Sequence, residues 1–147
     1  MKSLWNEADR QSILARIDRV TDATPRQWGK MTADRMVAHL AASMKMANGD
    51  LPVQSKRLPI RYFPLKQLII YLLPFPKGSP TAPELLMAPE APVAVVKPEL
   101  KQAIERFATR AGSTTWPEHP AFGNLTKQAW GVLTYRHVDH HLRQFGV

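Results

Sequence analysis

The pattern of apolar and polar positions divides this chain into regular ends and an irregular middle. Leu4, Ala8, Gln11, Leu14, Ala15, Ile17 and Val20 approximate helical spacing, with Glu7, Asp9, Arg10, Arg16, Asp18 and Arg19 between them. That spacing predicts a first helix from Ser3 to about Asp22, ended by Thr24-Pro25. A second helix is predicted to start at Thr32, a good N-cap residue with Asp34 in the following turn, and to stop at Asn48-Gly49. At ~100° per residue, Thr32, Met36, His39, Ser43 and Met46 share one stripe, flanked by Leu40 and Ala47. The stripe is the expected inward face, with His39 at its middle.

The middle reads differently. Ten of the 13 prolines lie between positions 50 and 98: Pro52, Pro59, Pro64, Pro74, Pro76, Pro80, Pro83, Pro89, Pro92 and Pro98. No long helix is expected at that density. One short helix is predicted over Leu65–Leu73, behind Pro64, and Thr81–Val96 is expected to be extended. Pro98-Glu99 reads as the start of a third helix with the stripe Leu100, Ala103, Ile104, Phe107 and Ala108, ending at Ala111-Gly112. Trp116 to Gly123 forms a stiff connector, and Thr126 caps a fourth helix running to about Phe145. The expected architecture is all-α. It is a four-helix bundle in a single domain, 1–147, with a long proline-rich crossover between helices two and three.

Composition narrows the function. With no cysteine, the chain has no disulfide framework, no thiolate metal site and no cysteine nucleophile of its own. The formal charge is +8, but the basic residues are scattered, with no run of five and no nucleic-acid motif. This reads as a solvated basic surface and argues against nucleic acid as partner. Leu65–Phe75 is the most apolar window. It is shorter than the ~20 residues that span a bilayer, so no transmembrane segment is expected. The start of the chain lacks a signal-type apolar stretch, and the reading is cytoplasmic.

Candidate chemistry concentrates in the fourth helix, which carries three of the five histidines. His137 and His141, four apart, fall on one helical face, and such a pair can fill two positions of one divalent ion. With His39 from the second helix, three imidazoles converge and leave a position open, the pattern of a catalytic rather than a structural site. Zn²⁺ and Ni²⁺ suit imidazole best, and Fe²⁺ or Mn²⁺ also accept it. His140 and Gln144 are candidates to orient the ligands. Trp130 reads as core that could also wall a pocket, and His119 reads as a loop residue near it. The His-Glu-x-x-His protease pattern is absent, since Val138 follows His137.

His137-Val138-Asp139-His140-His141-Leu142-Arg143-Gln144 resembles the terminal-helix signature of DinB-like domains, and Met36-Val37-Ala38-His39-Leu40 is similar to their second-helix segment. His119-Pro120-Ala121-Phe122-Gly123-Asn124-Leu125-Thr126 resembles a DinB-like subfamily of unassigned activity. The resemblance implies a helical bundle that binds a divalent metal through His39, His137 and His141. Some such proteins are thiol-dependent transferases or isomerases, so a low-molecular-weight thiol is an implied cofactor. The expected function is therefore a metal-dependent enzyme, a transferase or hydrolase, acting on a small molecule that the residues do not identify. The competing expectation is a non-catalytic binding or stress-response module with a vestigial metal site. It would be homodimeric through the apolar segment Ile60–Phe75.

Overall fold

The computed structural model describes residues 1–78, 81–87 and 89–147. Pro80 of the proline-rich stretch lies outside them. The described chain is all-helical: α1 Glu7–Asp18, α2 Ala33–Asn48, a short α3 Leu65–Gln67, α4 Val93–Thr109 and α5 Lys127–Gln144. The wider π turn Leu68–Leu72 continues α3, and 3₁₀ turns lie at Pro59–Arg61, Pro83–Leu86 and Arg110–Gly112. Among the described residues there is no strand, only an isolated bridge between His119 and Gly123.

The helix ends follow local chemistry in part. Thr126 caps α5, its hydroxyl accepting from the Ala129 N–H at 3.1 Å. Gly49 ends α2 in the left-handed conformation at φ 82°, and the Asp50 N–H closes back onto the Lys45 carbonyl at 2.8 Å. Thr32 occupies the N-cap of α2, but its side chain makes no capping bond there. Its hydroxyl instead bonds the Asp34 carboxylate and holds that group below its ordinary pKa.

Three expectations need correction. The first helix is shorter than the predicted Ser3–Asp22, because Asn6 caps it: its side chain accepts from the Asp9 N–H at 3.0 Å. The segment after Thr81 is not extended throughout: it makes the Pro83–Leu86 turn and enters α4 at Val93, five residues before Pro98. Pro98 is thus inside the helix. Burial of Val93 and Val96 offsets the lost hydrogen bond, and the Asp22 carboxylate caps the Val93 N–H at 2.9 Å. The third correction concerns α2, which buries far more than one stripe, with Ala33, Met36 to Met44 and Met46 to Asn48 all inside. The small side chains of Ala38, Ala41, Ala42 and Ala47 let neighbours approach from several sides.

Helix α2 packs along α4, and both α1 and α2 reach α5. One apolar cluster joins these four helices, with Trp5 stacked on Phe107 at 4.2 Å. A second, smaller cluster of Ile70, Phe122, Ala129, Val132 and Leu133 sits where the proline-rich segment packs on the outer side of α5. The Arg136 guanidinium locks that packing by donating to the carbonyls of Ile69 at 2.8 Å, Ile70 at 2.5 Å, and Leu73. No helix among the described residues is long and apolar enough to cross a membrane.

Candidate metal centre

Helix α2 presents His39 to α5, where His137 and His141 stand one turn apart. The three rings form a nearly equilateral triangle, with centroids 5.0 Å (His39–His137), 4.8 Å (His39–His141) and 4.9 Å (His137–His141) apart. One nitrogen from each ring lies within 4.8 Å of the other two. His39 Nε2 and His137 Nε2 face each other at 3.1 Å. His39 is buried, and the other two are partly buried.

Two of the rings are oriented from behind. The His39 Nδ1 faces the Leu85 carbonyl at 3.4 Å, in the Pro83–Leu86 turn. The His141 Nδ1 meets Gln144 Oε1 at 2.9 Å. The amide orientation of Gln144 is set by its other end, where Nε2 donates to the Trp28 carbonyl at 3.1 Å. The Gln144 backbone carbonyl accepts from the Gln27 N–H at 2.6 Å. With acceptors on both Nδ1 atoms, the protons sit there and the Nε2 lone pairs of His39 and His141 are left for the centre.

Burial keeps the triad neutral. Desolvation pulls the His39 pKa down to about 4, against the upward pull of the Leu85 carbonyl. It pulls His141 to about 3, helped by the charge of His39 and opposed by Gln144. His137 lies well below its ordinary value, through desolvation first and then repulsion from His39, His141, His119 and His140. Neutral imidazole is the ligating form, so at neutral pH no proton has to leave a ring before a metal arrives. The donor set fits a divalent ion. A tetrahedral ion with ~2.1 Å bonds separates its nitrogen ligands by roughly 3.4 Å, and the 3.1 Å between His39 and His137 is close to that. Among the described residues, no carboxylate belongs to the cluster. Asp139, the acidic residue of this helix, faces Arg16 at 2.6 Å and Arg143 at 2.9 Å.

The remaining candidates separate. Gln144 is buried and touches His141 directly. His140 is not one of the three converging rings but lies beside them: it meets the His141 ring edge-on at 5.3 Å, packs on Trp28 at 5.9 Å and Phe75 at 6.0 Å, and walls a surface cleft of about 370 Å³ with Leu72 and Arg136. Desolvation lowers its pKa as well. Trp130 is fully buried in the main core. His119 builds a turn, its Nδ1 accepting from the N–H groups of Ala121 at 3.1 Å and Phe122 at 3.2 Å. Its ring lies 5.4 Å from Trp130, and burial depresses its pKa to about 3. Sequence reasoning misses Leu85, Trp28 and Gly29. Leu85 and Trp28 act through backbone carbonyls, which no side-chain pattern reveals. Gly29, at φ 79°, leaves room for Gln144, and a Cβ there would meet Nε2 at 2.6 Å.

Fold and site together define an all-helical protein with a cluster of three neutral histidines, one buried and two partly buried. The chain belongs to DUF1569, a family described as protein of unknown function, whose sequence model matches residues 6–146. Searches of curated proteins and of solved structures gave no match.

Proposed function

We propose that the protein is a divalent-metal-dependent enzyme built as a DinB-like four-helix bundle, with the proline-rich segment as the crossover between α2 and α4. His39, His137 and His141 hold the ion, Zn²⁺ or Ni²⁺ by ligand preference, with Fe²⁺ or Mn²⁺ also compatible with imidazole. The observation that carries this reading is the convergence of three neutral imidazoles, two of them with the outer nitrogen tied, His39 to the Leu85 carbonyl and His141 to Gln144. Three protein ligands leave one place of a tetrahedral shell for a small molecule.

An ion bound there supplies Lewis acidity, lowering the pKa of a water or thiol at the remaining position. The chain's own part is positioning. Gln144 holds the His141 ring against rotation, and the Gln27–Gly29 loop holds Gln144. Burial of His39 and partial burial of the other two rings limit the access of bulk water. The chain has no cysteine, so a thiol would come from a small molecule, as in those DinB-like proteins that are thiol-dependent transferases.

Metal analysis of untagged protein tests the reading, comparing wild type with the double variant His137→Ala, His141→Ala. Near-stoichiometric metal in the wild type and its loss in the variant are expected. Equal content in both would remove the centre.

A further inference from the structure

We propose that the apolar turn between Lys56 and Lys77 is a docking surface for an anionic lipid bilayer. The proposal does not rest on the metal centre. Six large apolar side chains stand in solvent along this one segment: Leu58, Tyr62, Phe63, Leu65, Leu72 and Leu73, with Phe63 at 81% and Leu72 at 70% exposure. They are not a loose strand. Ile70, with Ile60, Ile69, Tyr71 and Phe75, anchors the other side of the turn on α5. Arg136 satisfies the carbonyls of Ile69, Ile70 and Leu73. Such carbonyls are the groups that an apolar turn could not carry unpaired into an acyl boundary.

Charge selects the occupant. Residues 51–83 contain no Asp or Glu, but they contain Lys56, Arg57, Arg61, Lys66 and Lys77. Arg61 is paired with Glu118, and the Lys66 ammonium donates to the Asn124 carbonyl at 3.1 Å. Glu84 lies near Lys56. Lys56, Arg57 and Lys77 remain exposed around the apolar turn, Lys77 with its ammonium 4.4 Å from the Trp28 ring centroid. A second copy of this chain would meet the surface with the same basic residues, because a two-fold contact pairs a patch with itself. An anionic bilayer offers opposite charge to the basic residues and an apolar boundary to the leucines and aromatics. The apolar run is too short to span, so it would lie in the interface.

Flotation with vesicles tests this, using pure phosphatidylcholine against phosphatidylcholine containing about one-third phosphatidylserine. Wild-type protein should float with the serine-containing vesicles at low salt, and release at about 0.5 M salt, where screening is strong. Phe63→Ser with Leu72→Ser should weaken partitioning about tenfold or more. Neutralising Lys56, Arg57 and Lys77 to Gln should cost about fivefold per residue. These side chains are exposed, and the one ring contact among them is that of Lys77 over Trp28 at 4.4 Å, so thermal melts should stay close to wild type in both variants. Three results would overturn the proposal: no partitioning on anionic vesicles, partitioning indifferent to composition, or a Phe63/Leu72 variant that floats like wild type. So would a concentration-dependent dimer abolished by that variant, which would give the surface to a second copy.

Discussion

His39 and His137, 98 positions apart in the chain, face each other through Nε2 atoms 3.1 Å apart. Two lone pairs at that distance repel unless a proton or a cation lies between them. His39 directs its Nδ1 at the Leu85 carbonyl, so its Nε2 is the accepting atom. His39→Ala should therefore lower metal affinity at least as much as loss of one α5 ligand. The check is a competition titration with a chromophoric chelator, comparing His39→Ala, His137→Ala and the wild type. Wild-type affinity in His39→Ala would show that α5 alone makes the site.

The support behind His141 makes a separate prediction. Gln144→Leu removes the acceptor of the Nδ1 proton and the link to Trp28. Partners of this kind typically contribute 10–100-fold in metal affinity, and a loss of about that size is expected. Gly29→Ala should act on the same contact from the other side. The new Cβ would crowd Gln144 Nε2, and the φ of 79° is itself strained for alanine. If either variant binds metal as the wild type does, the glutamine is not positioning the ring.

The depressed histidines predict how the metal-free protein responds to acid. His39 sits at about 4, and His119 and His141 at about 3, all through desolvation, against an ordinary value of 6.5. Above 6.5, folded and unfolded chains are alike neutral at these sites, and the shifts contribute nothing. Below 6.5 the unfolded chain binds protons that the folded chain refuses, so stability falls as pH drops toward 4. Each such histidine contributes a slope of up to about 1.4 kcal/mol per pH unit. Urea midpoints in chelator at pH 7.5, 6 and 5 should decline, and less steeply in His119→Gln. A flat profile would mean that the rings are solvated.

Local chemistry explains which parts of this fold are legible in the sequence. Helix α5 is legible because its cap, Thr126, bonds a residue only three positions on, and its histidines at i and i+4 are four positions apart. The meeting of His39 with them follows from an apolar stripe and the helical period. The start of α4 is not legible, because Pro98 looks like a first-turn residue. The cap that moves the boundary back to Val93 comes from Asp22, 71 positions away. The Leu85 carbonyl behind His39 is hidden for the same reason, coming from a proline-rich stretch that reads as extended. Asp22→Ala should accordingly cost about 0.5–2 kcal/mol, the usual worth of a helix cap. Urea denaturation measures it, and an unchanged midpoint would mean that α4 needs no cap.

Gly131 sets the last expectation, because it carries the N-terminal segment onto the histidine helix. The Leu4 N–H donates to the Gly131 carbonyl at 3.1 Å, and an added Cβ would overlap the Trp5 indole and the Ser3 hydroxyl. Neither neighbour is a loose side-chain end, since the Ser3 hydroxyl accepts from the Trp5 N–H at 3.2 Å. The Trp5 Nε1 donates to the Lys127 carbonyl at 2.8 Å, and its ring stacks on Phe107. Leu4 beside it is fully buried. The overlap therefore has to be relieved by shifting the segment, and not by rotating one side chain. Gly131→Ala should destabilise by about 1–3 kcal/mol, despite the better helix propensity of alanine. Gly112→Ala is the control, since nothing lies within 4 Å of its added Cβ, and it should stay within about 0.5 kcal/mol of wild type. Should the two variants melt together, Trp5 does not pack over α5 as described.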